Sequence, residues 1–478
     1  MGTRARAQGL LLDPAPWTIL VAALVWLTKL AHQRTCQQDR IDAPVKAMLR
    51  MCYSDVPVVW NANQWGRGGP SFTDQGLPQT PVVSALVAVQ RFVLGVFTPL
   101  SGGSSPQQAL DSGNQFLVMN SVVLFGFFLA LVMAHMLMGR TSTLGVARDQ
   151  SGVLVGGPVR SWDGMYIATS IGVFTAALIN WDLVAPAFMA LALMAWSSGR
   201  PVVAGVLTGL GLGAGIAPAV LVIALVVLCL RAGLREALAN YLLATVATTA
   251  VVVMVGLMLA ATGTRKAYLT LLDPAVGYGS IWWLLTDIGL SGELVPTFSK
   301  VAIAAAMIGV VLFTLSLARR ARVAQVMALL MIAGLALAPT YSPQYVLWLV
   351  GVVALARPAL RDWIIFSLTE ALYWAAIWGH LQGNLRLNWG DDVAYPLAIM
   401  VRLLGQGWMA WRIAHDMRHP ETDPVRQAGV DDPQGGVLDG CADAAWMSEP
   451  PAPRDAAGAD HLRANDLEPA EANRTPAS

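Results

Sequence analysis

The stretch Ala338-Pro-Thr-Tyr-Ser-Pro-Gln-Tyr-Val-Leu-Trp348 sets Ser342, Pro343 and Gln344 as a polar, proline-broken knot between two hydrophobic runs. Backbone that leaves the helix at such a depth needs protein or water to satisfy it, so it lines a cavity, a site or a water surface. The rest of the chain sets that depth. Of its 478 residues 55% are hydrophobic and 13% charged. The charged share is about half of the roughly 25% usual in soluble domains. Several apolar runs reach the ~20 residues that a crossing helix requires. The chain therefore reads as an all-α polytopic membrane protein. Its net charge is +1, and its Lys and Arg residues stand at the ends of apolar runs instead of forming one stripe. That excludes a nucleic-acid partner.

Arginine placement gives an orientation. The first run, 16–32, continues into a long polar loop with no small-residue cleavage site, and reads as an uncleaved span. Arg4 and Arg6 precede it, and Arg140, Arg160, Arg200, Arg231, Arg235, Arg319, Arg320, Arg322, Arg357 and Arg361 follow at later run ends. Placing all of them inside satisfies the positive-inside rule with about twelve crossings and both termini in the cytoplasm. The segments 39–80, 101–114, 180–182, 213–218, 264–300, 338–345 and 382–392 then face outward. The run 81–100 is long enough to cross, but crossing there would invert every later loop and bury Arg91 at a cost of roughly 3 kcal/mol. It is expected to be interfacial or re-entrant. Within 200–231 the breakers Gly209 to Pro218 divide the run into two short helices that meet at 213–218. The resulting division is a cytoplasmic N-terminus (1–15), a transmembrane domain (16–413) with its first extracytoplasmic loop at 33–80, and an acidic tail (414–478). That tail has no hydrophobic period and is expected to be structureless.

Residues able to do chemistry lie in the first outer loop. Asp55, in Cys52-Tyr-Ser-Asp-Val-Pro57, is a candidate general base for a substrate hydroxyl, or else a helix-end aspartate. Arg67 is a phosphate clamp or a solvated loop charge. Cys36 and Cys52 share the loop and are a candidate disulfide outside the cytoplasm. Glu370 and Arg402 fall inside apolar runs, where charges pair or line a cavity, so a structural pair is expected. Trp282 and Trp283 are stacking surfaces for a sugar or interfacial anchors.

Asn180-Trp-Asp-Leu183, continuing through Trp196-Ser-Ser-Gly-Arg-Pro201 to Leu210, resembles the core of glycosyltransferase family 87. These are actinobacterial polyprenyl-phosphate-mannose-dependent mannosyltransferases of the GT-C fold. Tyr341-Ser-Pro-Gln-Tyr345-Val-Leu-Trp348 and Gly277-Tyr-Gly-Ser-Ile-Trp-Trp283 are similar to further segments of an uncharacterised integral membrane branch of that group, and the likeness covers about residues 16–440. The resemblance implies a GT-C-type fold and a multi-pass cell-membrane location with the active site facing outside. It also implies an inverting mannosyltransferase that needs no cofactor or metal. Its donor would be a polyprenyl-phosphate sugar, and its acceptor a cell-envelope glycolipid or glycan among the membrane lipids. Asp55 matches the family's base. Asn180, Asp182, Tyr278, Trp282, Tyr341, Ser342 and Gln344 become candidate substrate contacts. The chain departs from the pattern at Gly215 and Pro339, where the family usually carries lysines, and at Thr80-Pro81, where it has Tyr-Pro. Arg67, Arg265, Lys266 and Arg386 are the candidate replacement cations. Two alternatives stand beside the transferase: a catalytically degenerate member, and a transporter or flippase of a lipid-linked substrate.

Overall fold

A computed structural model describes residues 13–70, 72, 79–98, 104–140, 160–272, 275–385 and 392–447, and among these every regular element is a helix. The first helix is α1 (Pro14–Arg34), which starts on the Asp13 side chain, an acceptor for Ala15 N–H at 3.0 Å. A short α2 (Asp55–Ala62) and then α3 (Pro81–Phe97) follow. Next come α4 (Pro106–Met138), opened by a Ser105/Gln108 capping box, and the broken pair α5 (Gly164–Ala168) and α6 (Ile171–Ala176). The middle of the chain forms α7 (Val184–Ser197), α8 (Pro201–Leu212), α9 (Ala219–Ala232), α10 (Arg235–Leu259), α11 (Ala261–Leu272) and α12 (Ile281–Asp287). It ends with α13 (Val295–Ser316), α14 (Val323–Ala336), α15 (Val346–Ala356), α16 (Leu360–Leu381) and α17 (Ala394–Arg418).

Four helices, α1, α4, α10 and α13, are long and apolar enough to cross a membrane, which makes this a membrane protein. The long helices run between two rims of the bundle. One rim holds a Cys36–Cys52 disulfide with a Cα–Cα distance of 5.8 Å. The other gathers the arginines. Only 11% of the apolar windows of α10 and α13 is buried, so these helices stand on the outside with apolar side chains turned outward. By contrast every residue of α15 is buried. With 11 residues and 1.5 Å of rise per residue, α15 is about 17 Å long, well short of the ~30 Å hydrocarbon core. Short helices at the centre and long ones around them leave a recess at each rim.

The expected division of 200–231 is present: α8 and α9 meet at 213–218. Gly205 and Gly209 let α8 lie directly on α10, because a Cβ at either would strike Tyr241 O, Thr245 or Thr248. This is the small-residue packing that apolar helices use where no hydrophobic force drives them together. Of the run expected to be interfacial or re-entrant, residues Pro81–Phe97 form α3. Near the start of α3, Thr80 Oγ1 donates to Ala214 O (3.1 Å) and Val82 N–H to Gly213 O (3.1 Å), while its end places Thr98 Oγ1 on Gln115 Oε1 (2.8 Å). All these partners belong to the disulfide rim, so α3 lies along that rim.

The tail is not structureless from 414. Helix α17 continues to Arg418, and residues 419–447 form an arm that fills the recess at the arginine rim. Arg322 and Asp423, both fully buried, pair at 2.7 Å. Arg231 pairs with Asp443 at 2.7 Å and also donates to Thr314 O and Leu317 O. Trp196 Nε1 donates to Gly435 O (2.8 Å), and Gln434 to Met138 O. Composition and period miss this arm because long-range ion pairs and carbonyl bonds hold it, not a hydrophobic face. Residues 448–478 lie outside the described residues.

Candidate functional site

At the disulfide rim two loops bring two carboxylates together. Ser54 caps α2 by accepting Val56 N–H (3.2 Å), and Asp55 N–H donates to Ile179 O at 2.6 Å, which seats the start of α2 on the 177–183 connection. Upstream, Gln33 Nε2 donates to Cys52 O (2.6 Å) beside the disulfide, so α1 fixes the same loop. Across from Asp55, Asn180 Nδ2 donates to Asp182 Oδ2 (2.9 Å) while Asp182 N–H donates to Asn180 Oδ1 (2.8 Å). Both carboxylates are half-buried. Burial pushes Asp182 up to about 6, with the charge of Asp55 adding and the amides of Asn180 and Gln344 opposing. Burial likewise raises Asp55 above the usual carboxylate range, against a hydrogen bond from Tyr53. Burial thus shifts both carboxyls towards the protonated form.

The polar knot lies beside this pair. Pro343–Tyr345 is a 3-10 turn leading into α15, with Ser342 and Gln344 half-buried, and the Tyr345 ring stacks on Trp348 at 4.7 Å. Gln344 and Trp348 reach Asp182. An apolar cleft of about 430 Å³ runs from Tyr345 and Trp348 between α9, α13 and α14, lined by Ile216, Val220, Ile303, Met307 and Leu335 among others. Lys300 and Ser299 line it too. The cleft thus ends at Tyr345 and Trp348, one side chain away from Asp182.

Tyr341 sits behind the knot, fully buried. Its hydroxyl donates to Glu370 Oε2 (2.9 Å), Gln406 Nε2 donates to Glu370 Oε1 (2.7 Å), and the Arg402 guanidinium lies 3.5 Å from the Tyr341 ring centre. The expected direct Glu370–Arg402 pair does not form, because Tyr341 is inserted between them and Arg402 donates instead to Gly279 O (2.7 Å). Tyr341 is therefore a buttress, not a surface for substrate. Trp282 is also turned inward, with Nε1 donating to Leu337 O (2.7 Å), whereas Tyr278 is 47% exposed.

The proposed cations scatter. Arg67 lies beyond the far end of α2 from Asp55, and Arg265 and Lys266 are on the exposed side of α11, whose last residues Leu271 and Leu272 line the cleft. Arg386 lies outside the described residues. Sequence reasoning missed Lys300, which is the one charged residue of α13 and was visible for that reason. It also missed Tyr345 and Trp348 as the inner end of the cleft. Among the described residues no group of three or more His, Cys, Asp and Glu could hold a metal ion. No protein-family model matches the chain, and no curated protein matches it either.

Proposed function

We propose that the chain is an inverting membrane glycosyltransferase of GT-C type, moving a mannosyl group from a polyprenyl phosphate to a glycolipid or glycan of the cell envelope. One observation carries this reading: the apolar cleft ends at Tyr345 and Trp348 beside the Asp55/Asp182 pair. The cleft suits a prenyl chain, and Lys300 offers its phosphate a cation in place of the lysines absent at 215 and 339. The acceptor hydroxyl oxygen attacks the anomeric carbon, and the anomeric C–O bond breaks with its electron pair passing to the lipid phosphate. The hydroxyl proton goes to Asp55. Burial keeps Asp55 basic, and Asp182, held by Asn180, orients the sugar.

The disulfide rim faces outside in this reading, where disulfides persist, and the arginine rim faces the cytoplasm. Twelve crossings result: α1, α4, α5 with α6, α7 to α10, and α13 to α17. Buried Arg–Asp pairs close the arginine rim, which favours a transferase with one open side over a carrier that must open to both. Labelled mannose transfer from polyprenyl-phosphate mannose to endogenous lipid acceptors, wild type against Asp55→Asn, tests this. Loss in the variant is expected. Equal transfer by both would remove Asp55 from its role, and none by either would favour a non-enzymatic protein.

A further inference from the structure

Outward from the buttress the disulfide rim carries an aromatic surface that the transfer step does not use. Tyr278 and Trp283 stand on the connection into α12 and on α12 itself. Two backbone bonds lock that connection to the knot, Gly277 N–H to Pro339 O (3.0 Å) and Tyr341 N–H to Tyr278 O (3.1 Å). Gly279, at φ +80°, makes the turn, and a Cβ there would meet Tyr373 and Tyr341 O. The His380 ring from the end of α16 packs against the edges of both, 5.3 Å from Tyr278 and 5.6 Å from Trp283, and lies flat on the buried Tyr395 at 4.2 Å. Asp392 fixes it: Oδ2 takes His380 Nδ1 at 2.5 Å, and Oδ1 takes Tyr395 N–H at 3.1 Å. A carboxylate at Nδ1 keeps a proton on that nitrogen and leaves Nε2 to hydrogen-bond a ligand. Among the described residues no group bonds Nε2.

Exposed ring faces present negative π-density that suits the C–H face of a pyranose, and a carboxylate-held imidazole reads a hydroxyl. A ring belt that only anchors a protein at a lipid surface needs no such imidazole. Behind this surface the ring contacts continue inward from Trp283 through the fully buried Tyr395, Tyr373 and Tyr341 to Tyr345 beside Asp182, with centroids 5.3 to 6.2 Å apart, so the surface is braced against the knot. Resting on the transferase reading, we infer that Tyr278, Trp283 and His380 form a distal subsite for a neutral sugar of the acceptor. The acceptor is then a short oligosaccharide whose far end docks here while its terminal hydroxyl reaches Asp55.

Saturation-transfer NMR with mannotriose on the detergent-solubilised full chain tests this without requiring turnover. Wild type is expected to bind, with Trp283→Leu and His380→Gln each weakening binding about tenfold and Trp283→Phe retaining most of it. No binding by wild type, or unchanged binding in Trp283→Leu and His380→Gln, would overturn the subsite. Vesicle partition that shifts in Trp283→Leu while mannotriose binding stays would assign the rings to the lipid surface and overturn it too. Failure of the transferase reading shows separately, as absent transfer from labelled donor by a wild type that still binds mannotriose.

Discussion

In the proposed reaction Asp55 and Asp182 carry the chemistry; Ser54 Oγ caps the helix that begins at Asp55 and donates to Ile179 O, and Asn180 holds Asp182. Asp55→Asn is expected to lower transfer by about a hundredfold or more, as loss of a general base does. The same pair sets the pH response. The proposed base Asp55 must be ionised, and burial raises it above the usual carboxylate range, so the rate falls as pH drops through that range; its neighbour Asp182 is pushed up to about 6. Tyr53→Phe removes the hydrogen bond that opposes the rise of Asp55 and moves the acid limb of the profile to higher pH, which initial rates across a buffer series would report. The stability sign is opposite. A carboxyl raised in the folded state favours the fold below its ordinary pKa, and that contribution is lost as pH rises through about 6. These carboxylates were legible because polar residues at breaks in an apolar chain stand out. Lys300 was equally legible as the one cation in α13 and was passed over as a loop end. His380 and Asp392 were not, since nothing in their spacing of twelve residues says that the end of α16 and the start of α17 meet.

At the scale of elements, the arm 419–447 and the α8/α10 contact are the most exposed to test. The arm supplies Asp423 and Asp443 to Arg322 and Arg231, which are otherwise buried cations. Removing one partner of a buried pair costs ~3–5 kcal/mol. Truncation after Arg418 is therefore expected to lower the thermal midpoint in detergent by far more than truncation after Met447, and Asp423→Asn should reproduce part of the loss. Gly209→Val should separate α8 from α10, because its added atoms meet Thr248 and Thr245 O, and a lower midpoint would show it. The short helices and the break at 213–218 could be read from glycine and proline spacing. The arm could not, because its aspartates find their arginines only after the helices are assembled.

For the whole molecule, the two rims are legible in the alternation of arginine-rich and polar connections, since charge cost in hydrocarbon forces such segregation. What the sequence left open was the cleft, which α9 builds with the later pair α13 and α14. The central claim is that this cleft holds a lipid-linked donor beside the two carboxylates. The most direct measurement is photolabelling of the purified chain with polyprenyl-phosphate mannose carrying a diazirine on its first isoprene unit, read by peptide mass spectrometry. Label on the 299–348 region, displaced by unlabelled donor and reduced in Lys300→Ala, is the expected result. Label that maps to the arginine rim, or that unlabelled donor fails to displace, would contradict the account.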